Sequence, residues 1–99
     1  MRIISRKRLR EFWERPEYAD CEQPLRAWYR EASKADWRTP SAIKAMYRNA
    51  SIVANSRVVF NIAGNKYRLV VKVNYAYGLM YIRFVGTHRQ YDDIDVTEV

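Results

Sequence analysis

The apolar residues of this chain keep a helical spacing up to about residue 48 and a two-residue spacing from about residue 58. That single change of period leaves few folds open, because a helical stripe and an alternating strand bury their faces in different ways. Leu9, Phe12 and Trp13 group on one side of a segment that Ser5 can cap and Pro16 closes. Leu25, Trp28, Tyr29 and Ala32 recur at i, i+3, i+4 and i+7 and predict a second amphipathic helix to about Ser33. Asp20 and Gln23 are spaced to open it as a capping box, with Pro24 in its first turn. Thr39 and Pro40 begin a short third helix that stops near Arg48, with Ile43 and Met46 or Tyr47 inward. Three alternating runs follow, through Val58, Phe60 and Ile62, then Tyr67, Leu69, Val71 and Val73, then Met80, Ile82 and Phe84. Short Gly-containing links between them predict hairpins, and Gly64 and Gly86 are assigned to turns. Met1 to Ile4 is β-branched enough for a further short strand. The expectation is one α+β domain over residues 1–99, with N-terminal helices packed on a twisted antiparallel sheet of three to four strands.

With 99 residues, 48% of them hydrophobic, such a domain can build a core without covalent staples. One cysteine, Cys21, excludes an intramolecular disulfide, and one Cys with one His cannot close a four-ligand zinc site. No apolar run approaches the ~20 residues of a membrane span, and the first residues lack the apolar stretch of a signal peptide. A reducing cytoplasm and no membrane contact are therefore expected. Trp13, Trp28, Tyr29 and Trp37 are expected in the core.

The charge distribution narrows function more than fold. The chain carries 18 Lys and Arg against 11 Asp and Glu, a net charge of +7. Between Asp36 and Asp92 there is no acidic residue, whereas Arg38, Lys44, Arg48, Arg57, Lys66, Arg68, Lys72, Arg83 and Arg89 all fall there. Solubility surfaces mix both signs, so this asymmetry predicts a polyanionic partner.

Strand alternation puts Lys66, Arg68 and Lys72 on one face. A hairpin centred near Ala76 and Tyr77 adds Tyr81 and Arg83 to that face, opposite Tyr67, Leu69, Val71, Ile82 and Phe84, which would meet the helices. Guanidinium groups offer bidentate donors to phosphate, ammonium groups a point charge, and tyrosine a surface for a base. His88 follows in a Gly86–Tyr91 segment read as loop, where an imidazole can move protons. With no carboxylate base in the basic region, the residue set suits RNA cleavage by the 2′-hydroxyl: cations stabilise the phosphorane and neutral or cationic side chains carry the protons. No metal or other cofactor is required. Asp92, Asp93 and Asp95 are read as solvent-facing charge rather than a divalent-ion site.

The run from Arg57 to Val70 and the run Tyr81-Ile82-Arg83-Phe84-Val85-Gly86-Thr87-His88-Arg89-Gln90-Tyr91-Asp92, with Ala27-Trp28-Tyr29 and Ala35-Asp36-Trp37 upstream, resemble the HigB family of type II toxins in the RelE/ParE superfamily. The resemblance implies a RelE-like two-layer fold and an mRNA endoribonuclease that cuts translated messages on the ribosome. It also implies a helix-turn-helix antitoxin of the HigA type that represses the operon, so that operator DNA is reached only through that partner. The family's basic strand positions match Lys66, Arg68 and Arg83, and its C-terminal His and aromatic match His88 and Tyr91, so the resemblance implies Arg68, Arg83, His88 and Tyr91 as the catalytic set. Arg68 and Arg83 would stabilise the scissile phosphate, Lys66 would contact phosphate or activate the 2′-hydroxyl, and His88 with Tyr91 would transfer protons or stack a base. Lys66, Lys72, Tyr81, Arg57 and Arg89 are the candidate RNA contacts. Two other functions remain open at this point, a ParE-like inhibitor of gyrase and a non-catalytic RNA-binding module. The first needs no basic face beside a histidine, and the second leaves the Arg68, Arg83 and His88 grouping without a task.

Overall fold

The change of period marks the border between two layers in the computed structural model, which describes residues 1–99. The helical layer holds α1 (Arg6–Trp13), a 3-10 turn (Pro16–Cys21), α2 (Glu22–Lys34) and α3 (Pro40–Met46). The sheet holds β1 (Arg2–Ile4), β2 (Ser51–Val53), β3 (Arg57–Ile62), β4 (Tyr67–Asn74) and β5 (Leu79–Thr87), and α4 (His88–Asp92) follows directly. Its spatial order is β1-β5-β4-β3-β2. The α+β architecture agrees with the sequence, but there are five strands instead of three to four, and the sheet is mixed. β1 runs parallel to β5, with Arg2 beside Leu79 and Ile4 beside Tyr81, because α1 and α2 carry the chain away before the hairpins begin. β2 escaped notice because three residues cannot display a period.

β1 covers only the first residues of β5. Past that point α1 closes the edge, and Arg8 Nη1 donates to the Ile82 carbonyl at 2.9 Å, which occupies an acceptor that an exposed edge would leave open. One continuous core lies between helices and sheet, with Leu9, Leu25, Trp28, Ile43, Phe60, Leu69, Val71 and Met80 all buried. Trp28, Trp37 and Tyr47 pack around the Phe60 ring at centroid distances of 5.2–6.2 Å. Trp13 joins them in the core, whereas Tyr29 is half-buried beside it. Thr39 caps α3 as expected, its hydroxyl accepting from Ala42 N. The Asp20–Gln23 box does not form, because residues up to Cys21 turn as a 3-10 helix and Asp20 has other partners.

The hairpin between β4 and β5 is centred where the sequence places it, with Asn74 opposite Leu79 and Lys72 opposite Tyr81. Beyond Ile82 a bulge intervenes: Val71 pairs with Ile82 and Val70 with Phe84, so Arg83 has no partner. Phe84 is thereby displaced from the helix-packed face on which strict alternation put it. Its ring settles over Gly86, where an added Cβ would sit 2.6 Å from Phe84 Cζ and 2.7 Å from Gln90 Oε1. Gly86 is therefore required by close approach and lies within β5, whereas Gly64 does sit in a turn, at φ +70°. Gly86→Ala should destabilise the fold by about 1–3 kcal/mol through overpacking. The measurement is the urea midpoint, and trimming the ring with Phe84→Ala in the same chain should make the added cost of the alanine smaller.

Candidate functional site

β4 is the central strand and organises the candidate residues. Tyr67, Leu69, Val71 and Val73 face the helices, whereas Arg68, Val70 and Lys72 face the other way, where Val59 and Val70 are also buried. Arg57, Lys72 and Tyr81 form one cross-strand row on β3, β4 and β5. The bulged Arg83 lies next to this row, and Ser56, Lys72, Asn74, Tyr81 and Arg83 line one concavity that contains no carboxylate. A larger concavity on the other side of β5, between α1 and α4, mixes Arg8 and Arg15 with Glu11 and Asp93, so its charges cancel.

The second group stands at the opposite end of β4. His88 opens α4 instead of lying in a loop, and its backbone N–H donates to the Lys66 carbonyl at 3.3 Å. Its imidazole Nδ1 is 3.3 Å from an Asp92 carboxylate oxygen one turn on. Arg89 is exposed and Tyr91 half-buried on the same short helix. Arg68 lies opposite Gly86, two residues short of His88. Four residues separate Arg68 from Lys72, about 13 Å at the rise of a strand. The fold therefore brings Lys66, Arg68, His88 and Tyr91 to one end and Arg57, Lys72, Tyr81 and Arg83 to the other, a division that strand alternation alone conceals.

The arginines are held by main-chain oxygens. Arg68 is 9% exposed and donates Nη1 to the carbonyls of Asn65 and Tyr67. Arg57 is 7% exposed and donates to Asn55 O and Val99 O, and Arg83 Nε also reaches Val99 O, at 3.1 Å. Residues 97–99 thus lie across this end of the sheet. The internal carbonyls of Asn55, Asn65 and Tyr67 orient Arg57 and Arg68 without cancelling their charge. Asp92, Asp93 and Asp95 do not converge: Asp92 meets His88, Asp93 lines the concavity by α1, and Asp95 accepts from Thr97.

Asp20 is the exception to this pattern. From the helical layer it reaches both Lys66 Nζ and the Tyr67 hydroxyl. The Lys66 and then the Tyr67 hydrogen bond hold its carboxyl below the ordinary value of 3.8, while burial, reinforced by Asp20, pushes the Tyr67 phenol up. The adjacent Cys21 thiol is pushed up to about 12, chiefly by burial, which leaves it an inert core residue.

Residues 21–94 match the HigB toxin family, described as the RelE-like toxic component of a toxin–antitoxin system. The chain belongs to the HigB toxin family. It is 30% identical over 94 residues to the mRNA interferase toxin HigB of Escherichia coli K12, an alignment that covers 93% of this chain and 88% of the relative. The mRNA interferases HigB of Escherichia coli O157:H7 and of Shigella flexneri match to the same extent. In this HigB toxin the family match spans α2 to α4 and every candidate residue, whereas β1 and α1 lie outside it.

Sequence reasoning missed Tyr18, Asp20 and Gln90. Thr87 and Gln90 do carry the spacing of a capping box, and both of its bonds form: Gln90 N donates to Thr87 Oγ1 and Thr87 N to Gln90 Oε1. For Asp20 the local signal was misleading, since its carboxylate is used across the layers. Because its pKa is lowered on folding, Asp20 adds stability above its ordinary value, and that contribution disappears as pH falls through the lowered one. The urea midpoint of Asp20→Asn should therefore drop less than that of the unaltered chain between about pH 6 and about pH 3.

Proposed function

We propose that this HigB toxin is an mRNA endoribonuclease that cleaves translated messages on the ribosome without a metal. The observation that carries the reading is the row of Arg57, Lys72, Tyr81 and Arg83, free of acidic side chains and continued towards His88 along β4 and β5. A single RNA strand laid along these two strands meets cations over about 13 Å, enough for successive phosphates. The names of the relatives, mRNA interferases, support the substrate class.

Cleavage is assigned to the α4 end. The 2′-oxygen attacks the adjacent phosphorus as its proton leaves to His88 or Tyr91, the bond to the 5′-oxygen breaks, and a proton returned to that oxygen completes the step. The products are a 2′,3′-cyclic phosphate and a 5′-hydroxyl end. Lys66 and the fixed charge of Arg68 offset the negative charge of the phosphorane. Lys72, Tyr81 and Arg83 hold the neighbouring nucleotides, with Arg57 fixing the strand beneath them and Arg89 at the rim. For Arg83 a phosphate oxygen replaces the Val99 oxygen. The partner that restrains the toxin is an antitoxin, of the helix-turn-helix HigA type, through which alone operator DNA is engaged. The compartment is the cytoplasm; no helix is long and apolar enough to cross a membrane.

The test is to induce the chain without its antitoxin and map new 5′-hydroxyl RNA ends. Ends should arise within coding regions, follow translation, and fall by about 100-fold or more in His88→Ala. Arg83→Ala should act mainly by raising the KM for message in a purified reaction. Growth arrest with DNA damage and no new ends would replace this reading with gyrase inhibition.

A further inference from the structure

The active end proposed above has two exposed parts, the Lys66 side chain just before β4 and the short helix α4. α4 has five residues and none of them is buried, so it has little intrinsic stability. Lys66 is exposed. Both are tied to the same place, the 3-10 turn Pro16–Cys21 in the helical layer. Tyr18 of that turn accepts through its hydroxyl from Gln90 Nε2 at 3.1 Å. The other end of the Gln90 amide closes the capping box that starts α4. Two residues further on, Asp20 takes the Lys66 ammonium with one carboxylate oxygen and the buried Tyr67 hydroxyl with the other.

The turn is itself anchored in the core. The Tyr18 ring stacks on Phe12 at 4.3 Å with an interplanar angle of 8°, and meets the edge of Tyr67 at 6.1 Å. Tyr67 is 1% exposed and also contacts Phe12, so Phe12, Tyr18 and Tyr67 form one aromatic block from which both polar tethers project. An exposed ion pair adds little to stability, so the main effect of Asp20 on Lys66 is to fix where the ammonium points. A carboxylate beside a phosphate-binding cation also weakens phosphate attraction, a cost that positioning would offset.

We propose that Tyr18 and Asp20 are positioning residues for the cleavage reaction, holding α4 and Lys66 in register with each other from a single turn outside the site. The inference rests on the reading of the α4 end as the cleavage centre. Asp20 leaves two ammonium protons of Lys66 free to meet phosphate oxygens, and Tyr18 sets the pitch of the helix that carries His88 and Tyr91.

The experiment compares Tyr18→Phe, Asp20→Asn, Asp20→Glu, Lys66→Ala and the Asp20→Asn/Lys66→Ala pair in a purified ribosome-programmed cleavage reaction, with amide hydrogen exchange of α4 measured on the same proteins. Tyr18→Phe keeps the aromatic stack and Asp20→Asn keeps the shape, so both should fold. Each should lower kcat about 10- to 100-fold with KM changed less than about twofold. Asp20→Glu should recover part of the loss, and Asp20→Asn should add nothing to Lys66→Ala. Tyr18→Phe should speed exchange at Gln90 and Tyr91 whether or not RNA is cut. Unchanged kcat in the single variants, additive losses in the pair, or unchanged exchange in α4 would overturn the proposal. Absence of cleavage by the unaltered chain would remove the functional reading instead, and the exchange result alone would then decide whether Tyr18 holds α4.

Discussion

The pairing of β4 with both neighbours is the constraint on which the rest of the molecule depends. Tyr67, Leu69, Val70, Val71 and Val73 of this strand are all buried, so it is covered on both faces, and a one-residue slip against β3 or β5 would exchange its apolar side for Arg68 and Lys72. That penalty fixes the row of Arg57, Lys72 and Tyr81 without any contact among their charged groups. The bulge at Arg83 is the one relaxation of the ladder. It occurs where the basic row ends, and it decides which residues of β5 accompany Arg68 towards α4.

The acid-free half of the chain raises a problem of satisfaction that the fold solves with main-chain oxygen. Arg57, Arg68 and Arg83 donate to main-chain oxygens, and Lys44 does the same with Arg48 O and Ala50 O at 2.6 and 2.8 Å. The internal carbonyls position Arg68 and Lys44 without neutralising them, which a carboxylate partner would have done. The helical layer also uses carboxylate partners, with Lys7–Glu11 and Arg26–Glu22 paired one turn apart. The two rules meet within that layer, where Arg8 of α1 and Lys44 of α3 take carbonyls, and Asp20 carries a carboxylate out of it to Lys66.

Much of this was legible in the sequence wherever a local pattern and the global fold agree. The spacing of Leu25, Trp28 and Ala32 gives α2, Thr39-Pro40 gives the start of α3, and the Gly-containing turn places Lys72 opposite Tyr81. The remainder depends on long-range geometry. A bulge leaves no residue signature here, so Phe84 looked like the natural successor of Ile82. The parallel pairing of β1 needs a neighbour from the far end of the chain. Arg68 carries the side chain of a surface cation, and only the course of the β3–β4 turn buries it against Asn65 and Tyr67. Asp20 has the right neighbour for a cap and is drawn away by a stronger partner in another layer.

The parallel pairing of β1 with β5 also sets an order of birth. β1 and the Pro16–Cys21 turn leave the ribosome early, but their partners are Leu79 to Tyr81, Lys66, Tyr67 and Gln90. Folding during synthesis proceeds from the N-terminal side, and contacts this distant in sequence must wait for the later strand. The sheet edge cannot close until Tyr81 has emerged, nor the α4 end until Gln90 has. The N-terminal third of the chain therefore waits, its apolar side uncovered, for the strand and short helix that are made last.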